Sequence, residues 1–223
     1  MRIWIEECHL KTAVMRIWIS IFSLVAVFLW GLLIIKYIGG IVMIFGYQVD
    51  KDIKLKILEE REAEQLFKLV DRNRNYLAEF LPFVEHTKKV DDSKHFIHSA
   101  LQQFIDGNGF HCGIWSNKEL IGVIGLHYLD LVNKKTSIGY YLAEAFQKKG
   151  IMTKCTKALI RYVYEEYDVN RIEIQMSTKN KKSRAIPIRL GFTQEGVLRS
   201  DERLQGEFSD SYVYSLLKEE YGY

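Results

Sequence analysis

From Ile138 to Thr153 the chain reads IGYYLAEAFQKKGIMT: an apolar strand, a loop of Gln147, Lys148, Lys149 and Gly150, and a helix opening with Ile151, Met152 and Thr153. Glycine in a strand-to-helix turn lets backbone N–H groups converge on one point, where the helix dipole also favours an anion. A pyrophosphate suits that geometry. Lys148, Lys149 and Lys154 add positive charge, although each also reads as an ordinary solvated lysine. Neither a G-x-x-x-x-G-K-[ST] nor a G-x-G-x-x-G pattern occurs, which sets aside a P-loop and a dinucleotide site.

The other reactive side chains read as structural. Cys8, Cys112 and Cys155 form no C-x-x-C pair, which argues against a disulfide framework or a zinc ribbon. Cys155 falls on the apolar side of its helix, so packing is expected of it rather than an acyl-cysteine intermediate. His95 and His98 are spaced i, i+3 without a third ligand cluster, and His86, His111 and His127 read as surface or core-edge residues, so no metal is expected.

The elements that must hold this loop follow from periodicity. Ile53, Leu55 and Ile57 alternate with charged residues and predict a half-buried strand over 52–59. An apolar stripe from Ala63 through Leu66, Phe67 and Val70 to Leu77, Phe80 and Leu81 predicts one helix over 60–81, stopped by Pro82. A second helix over 91–105 is opened by Asp91, Asp92 and Ser93 as cap. Strands over 109–115, 120–129 and 135–142 read as an antiparallel meander. An amphipathic helix over 150–164, a strand over 171–176, a short helix over 183–190 and strands over 193–198 and 208–216 complete the pattern. The sum is α+β, one mixed central sheet flanked by helices.

Composition agrees with a folded domain. Of 223 residues 48% are hydrophobic and 26% charged, which excludes a disordered or low-complexity chain. The net charge is +3 and residues 47–223 are nearly neutral, so charge offers no argument for nucleic acid. Residues 1–46 form an N-terminal extension. Within it, 17–35 carry no charge and as a helix would span ~28 Å, enough to cross a bilayer. Lys and Arg are balanced on the two sides, which leaves orientation open, and a secretory signal fits less well because no A-x-A-like cleavage site follows. A competing reading starts translation at Met43 and treats 1–42, with its duplicated MRIWI, as upstream reading frame. Intact mass of the native protein separates the two.

Taken together, GYYLAEAFQKKGIMT, then RIEIQMSTKNKKSRAIPIRLGFTQEGVLR, then DSYVYSLLKEE resemble the GNAT N-acetyltransferases, within them the ribosomal-protein N-acetyltransferase-like (RimJ/RimL) branch. The resemblance covers roughly Asp50 to Glu220. It implies the GNAT fold over 47–223, with the N-terminal apolar helix ahead of it. It also implies acetyl-CoA as cosubstrate, its pyrophosphate on the Q/R-x-x-G-x-G/A loop and its pantetheine against the open edge of a strand splayed from its neighbour. Met152 replaces the last small residue of that loop, which leaves the close approach to Gly150. The L-x-x-W-L-P-W signature of the branch appears as LAEFLPF, Leu77 to Phe83, with Phe at both Trp positions.

Acetyl transfer to an amine needs a neutral nucleophile, a polarised thioester carbonyl and a proton for the departing thiolate. Backbone N–H groups around Tyr140, Tyr141 and Leu142 can serve the carbonyl. Asn180 and Ser183 form an Asn-x-x-Ser at the short helix, where the RimL-like pattern makes the serine the donor to sulfur; Ser183 as a helix N-cap with Asn180 in the preceding turn is the structural alternative. The same pattern places a glutamate, acting through water, at Glu202, with Asp201 and Glu195 as nearby substitutes. Phe80, Phe83, Glu79, Glu85, Asp91 and Asp92 would suit a positively charged amine against an apolar wall, or else form a solvated helix face.

The expected activity is transfer of acetyl from acetyl-CoA to a primary amine by direct attack in a ternary complex, with a ribosomal-protein or other protein N-terminus as acceptor. A polyamine or aminoglycoside acetyltransferase, or a membrane-tethered CoA-binding regulatory protein without turnover, are the alternatives. The cosubstrate implies a cytoplasmic active site.

Overall fold

In the computed structural model the described residues are 46–222, and they fall within one compact unit. The candidate membrane helix over 17–35 and the Met43 start lie outside them. Among the described residues no helix is long and apolar enough to cross a membrane.

The chain enters through a two-residue strand, Tyr47–Gln48 (β1), that periodicity could not reveal, and the alternating Ile53–Ile57 (β2). The long helix expected over 60–81 is broken. Ala63–Arg72 (α1) ends at Asn73, whose side-chain amide donates to the Leu69 carbonyl at 2.8 Å, taking up an acceptor that a continuing helix would use. Arg74–Leu77 (α2) and Phe83–His86 (α3) follow as single turns on either side of Pro82. Arg74 clamps them by donating to the carbonyls of Val84 and Thr87, each at 2.7 Å. Val90–Ile105 (α4) begins earlier than expected. Asp92 reaches back to the amides of Lys88 and Lys89 at 2.8 and 2.9 Å, so it closes the helix start from inside the first turn.

Phe110–Ser116 (β3), Glu119–Asp130 (β4) and Lys135–Leu142 (β5) form the expected meander. Ile151–Glu166 (α5) then crosses to Arg171–Ser177 (β6), and Lys181–Arg189 (α6) leads to Thr193–Leu204 (β7) and Glu207–Leu217 (β8). The eight strands make one mixed sheet in the order β1-β2-β3-β4-β5-β6-β8-β7. α5 lays Cys155, Leu159 and Val163 on one face, against Ile114, Ile124 and Ile138. α1 and α4 cover the other with Leu66, Leu69 and Ile97 over Trp115 and Val123.

Among the described residues the junction of β5 and β6 is the only parallel pairing, and it is short. Lys135, Thr136 and Ser137 pair with Arg171, Ile172 and Glu173, and there the pairing stops. On its other edge β5 stays on β4 as far as Leu142 opposite Gly122. The β4–β5 register slips at His127, the extra residue facing the step from Ser137 to Ile138. Such a bulge bends the strands that carry it, and the bend falls where β5 leaves β6. The Ala143 amide donates to Ile121, so by antiparallel alternation Tyr140 and Leu142 turn their N–H groups toward the vacated edge.

β7 and β8 are longer than expected. Three residues, Arg199 to Asp201, bulge opposite one, with Ser200 at φ 51°, and pairing resumes at Glu202 opposite Ser209. Gln205 and Gly206, at φ 50° and 88°, close the hairpin as two left-handed turn residues.

Candidate active site

α5 starts at Gly150 with φ 74°, and Lys148 two residues earlier is also left-handed at φ 60°. For a lysine that conformation costs on the order of 1–2 kcal/mol, and such positions gather where a ligand is clamped. A Cβ built on Gly150 would meet nothing within 4 Å, so its glycine answers to φ and the space in front of it is open. No side chain caps the turn, and the amides of Ile151, Met152 and Thr153 find no acceptor among the described residues. The result is a cradle of donors at a helix N-terminus.

The cradle opens into a cavity of about 660 Å³ that runs along the vacated edge of β5. Tyr140, Tyr141 and Leu142 form one side, and Gln147, Lys148, Gly150, Ile151, Met152 and Thr153 the end; Asn180 and Ser183 flank it from α6. Lys149 is turned aside, its Nζ 4.9 Å from the Phe146 ring centroid. Lys154 is ion-paired to Asp50 at 2.8 Å, so its charge is shared with the domain entrance. Two cations on the wall carried no sequence signal. Arg189 donates to Thr153 Oγ1 at 2.7 Å, and Lys182 donates to Gln147 Oε1 at 3.1 Å while lying 4.9 Å from the Tyr76 ring centroid. Both come from α6, and only packing of that helix against the loop brings them here. Among the described residues no carboxylate lines the cavity. Free amides, the cations Lys148, Lys182 and Arg189 and an open strand edge fit a diphosphate-bearing thioester.

On α6 the cap is Asn180, not Ser183: Asn180 Oδ1 accepts the Ser183 N–H at 3.0 Å. The serine hydroxyl is thereby released from capping and bonds Tyr140 Oη at 3.4 Å. Arg184 braces the helix from behind, donating to Tyr214 Oη at 2.8 Å and lying 4.3 Å over the Tyr212 ring.

The acceptor end is a wall of Leu77, Phe80 and Leu81, with Phe83 against Tyr141 at 5.4 Å between ring centroids. The carboxylates expected to receive a cationic amine lie elsewhere. Asp92 closes α4, Asp91 pairs with Lys89 at 3.8 Å, and Glu79 and Glu85 are exposed outside the lining. Glu202 stands in β7, not in a loop, and does not line the cavity; it shares a face with Ser209, whose Oγ meets Ser177 Oγ at 2.8 Å where β6 ends. Partial burial and the neighbouring Asp201 raise its pKa above the ordinary carboxylate value. Glu195 is no substitute. Arg171 and Ser215 hold it as a carboxylate, pulled down to about 2.

Cys8 lies outside the described residues, and the two described cysteines are out of reach. Cys112 and Cys155 are buried, and burial pushes both thiols up to about 12, so neither forms a thiolate near neutrality. His98 pairs with Glu60 at 3.2 Å, and among the described residues no three His, Cys, Asp or Glu side chains converge as a metal set.

The profile of the acetyltransferase (GNAT) domain matches residues 52–193. A ribosomal-protein-serine acetyltransferase of Escherichia coli is 26% identical over 168 residues, covering 75% of this chain and 94% of its own. A crystal structure of a probable acetyltransferase superposes with a TM-score of 0.76 at 38% identity, covering 79% of this chain and 98% of the other. RimL, a ribosomal L7/L12 α-N-protein acetyltransferase in complex with coenzyme A, superposes with a TM-score of 0.76 at 25% identity, over 78% of this chain and 99% of the other.

Proposed function

Since the chain belongs to the GNAT acetyltransferases and moves acetyl from acetyl-CoA to an amine, we propose that its acceptor is a protein N-terminal amine and that Ser183 and Glu202 carry the proton transfers. The observation that carries the acceptor is the lining: among the described residues it holds apolar and neutral polar side chains, four cations of which only Lys154 is paired with an acid, and no carboxylate. A polyamine or aminoglycoside would bring several positive charges into a cavity that repels them. A peptide end brings one, which must be lost before attack. The names of the relatives, a ribosomal-protein-serine acetyltransferase and an L7/L12 α-N-protein acetyltransferase, support a ribosomal protein as the donor of that end.

Acetyl-CoA supplies an acyl group activated as a thioester. The amides of Ile151, Met152 and Thr153, with Lys148, Lys182 and Arg189, hold its diphosphate, and the open edge of β5 receives the arm that follows. The N–H groups of Tyr140 and Leu142 face that edge and polarise the carbonyl. Glu202 takes the amine proton through a water, and its raised pKa makes it the stronger base for that work. The amine nitrogen forms its bond to the acyl carbon, the C–S bond breaks, and Ser183 Oγ gives its proton to sulfur.

Thiol release from acetyl-CoA, followed over a panel of ribosomal-protein N-terminal peptides, polyamines and aminoglycosides, tests the reading. Release with peptides is expected. Release confined to polyamines or aminoglycosides overturns the acceptor, and CoA binding in calorimetry without any release returns the chain to a CoA-binding protein.

A further inference from the structure

Tyr140 is tied twice to one residue across the cavity. Its Oη donates to the Ser183 carbonyl at 3.2 Å, and Ser183 Oγ donates to that same Oη at 3.4 Å. The other lining tyrosines are engaged differently: Tyr76 bonds Gln147, and Tyr141 packs on Phe83. The Tyr140 ring is packed against the central core, and burial raises its hydroxyl well above the ordinary phenol value, so it stays a neutral donor throughout the assay range.

A lone serine hydroxyl rotates freely and is a weak acid. Here its hydrogen is aimed at Tyr140 and its lone pairs are left toward the cavity. To meet a departing sulfur that hydrogen must swing outward, which exposes an Oγ lone pair to Tyr140. The Tyr140 hydrogen can then turn from the Ser183 carbonyl to Oγ, and each bond of such a chain polarises the next. We propose that Tyr140 is a positioning residue for acetyl transfer: it sets the rotation of Ser183 and backs it as the second donor in a Tyr140, Ser183, sulfur chain. The proposal rests on the reading of Ser183 as the donor. The C–S electron pair leaves on sulfur, the Ser183 proton joins it, and Tyr140 donates a hydrogen bond to the Oγ that has lost its proton. The proton lost by the amine to Glu202 returns through solvent to Ser183 Oγ, while Tyr140 keeps its own.

The test is a double-mutant cycle of Tyr140→Phe and Ser183→Ala, with melting midpoints measured first. Phe removes one oxygen from a ring that stays packed. Tyr140→Phe should lower kcat about tenfold while KM for acetyl-CoA stays within about twofold, and the double variant should be no slower than Ser183→Ala alone. A loss carried by KM, or losses that multiply in the double variant, overturns the proposal. So does an unchanged Tyr140→Phe beside an impaired Ser183→Ala. An unimpaired Ser183→Ala removes instead the donor reading underneath, and Tyr140 falls with it.

Discussion

The two ends of the cavity are built from different materials. At the Gly150 end the groups facing the cavity are main-chain amides, set by the left-handed conformations of Lys148 and Gly150 and by the start of a sixteen-residue helix packed on the sheet. At the Phe80 end they are side chains on single turns and the link between them, held by Asn73, by Arg74 and by Gln205 of the hairpin tip, whose amide lies 3.5 Å from the Ala78 carbonyl. A main-chain site depends on a few backbone angles and loses its shape when one is lost. A side-chain wall on short turns tolerates exchange, and the Phe residues of LAEFLPF at Trp positions are such an exchange. The diphosphate end should therefore be common to relatives with different acceptors, while selectivity resides in the wall.

The proton transfers proposed for Ser183 and Glu202 should show the largest effect. Glu202→Gln is expected to lower kcat by about 10²-fold, within the range of general-base removal, with CoA affinity unchanged in calorimetry. Because the base works as the carboxylate and its pKa is raised, wild-type activity should fall as pH drops through a value above the ordinary ~4.3 of glutamate. The Gln variant should lack that acid limb, and an unaltered pH–rate profile would take Glu202 out of the role. Gly150→Val comes next. A β-branched residue at φ 74° is strained by about 1–3 kcal/mol, so titration calorimetry should find CoA bound roughly 10–100-fold more weakly. Affinity held within twofold would mean that the cradle is not the diphosphate site.

Phe80→Ala probes the other end. It should raise KM for the peptide acceptor about fivefold, the value of losing part of an apolar contact, and leave CoA affinity alone. A change confined to CoA would erase the contrast between the two ends. Lys182→Ala is the smallest: CoA should bind about threefold more weakly at low salt, and the difference should fade as ionic strength rises. A salt-independent loss would assign Lys182 to packing on Tyr76 rather than to charge.

Residue order revealed much of this arrangement. Gly150 between a strand and an amphipathic helix pointed to the cradle because left-handed φ and helix polarity are properties of short segments. The stripe of Cys155, Leu159 and Val163 pointed to the covered face for the same reason. The helix expected over 60–81 failed at Asn73 because periodicity records which residues are apolar, and a side chain that competes for one carbonyl leaves no trace in it. Asp91 and Asp92 read both as the cap of their helix and as part of a receptor for a cationic amine, and the fold spends Asp92 on two amides of its own helix start.

Local pattern pointed to an anion-binding turn at Gly150 and to an α+β sheet, since each follows from neighbours a few residues apart, and the resemblance to the GNAT acetyltransferases carried the step to an amine-directed transferase. Long-range packing settled the rest: the parting of β5 from β6 at Ser137, the arrival of Lys182 and Arg189 from α6, the link between Tyr140 and Ser183, and the tether that disqualifies Glu195. Those pairings join residues tens of positions apart, and only burial of the sheet against α5 and the closure of α6 over its edge brings them within bonding distance.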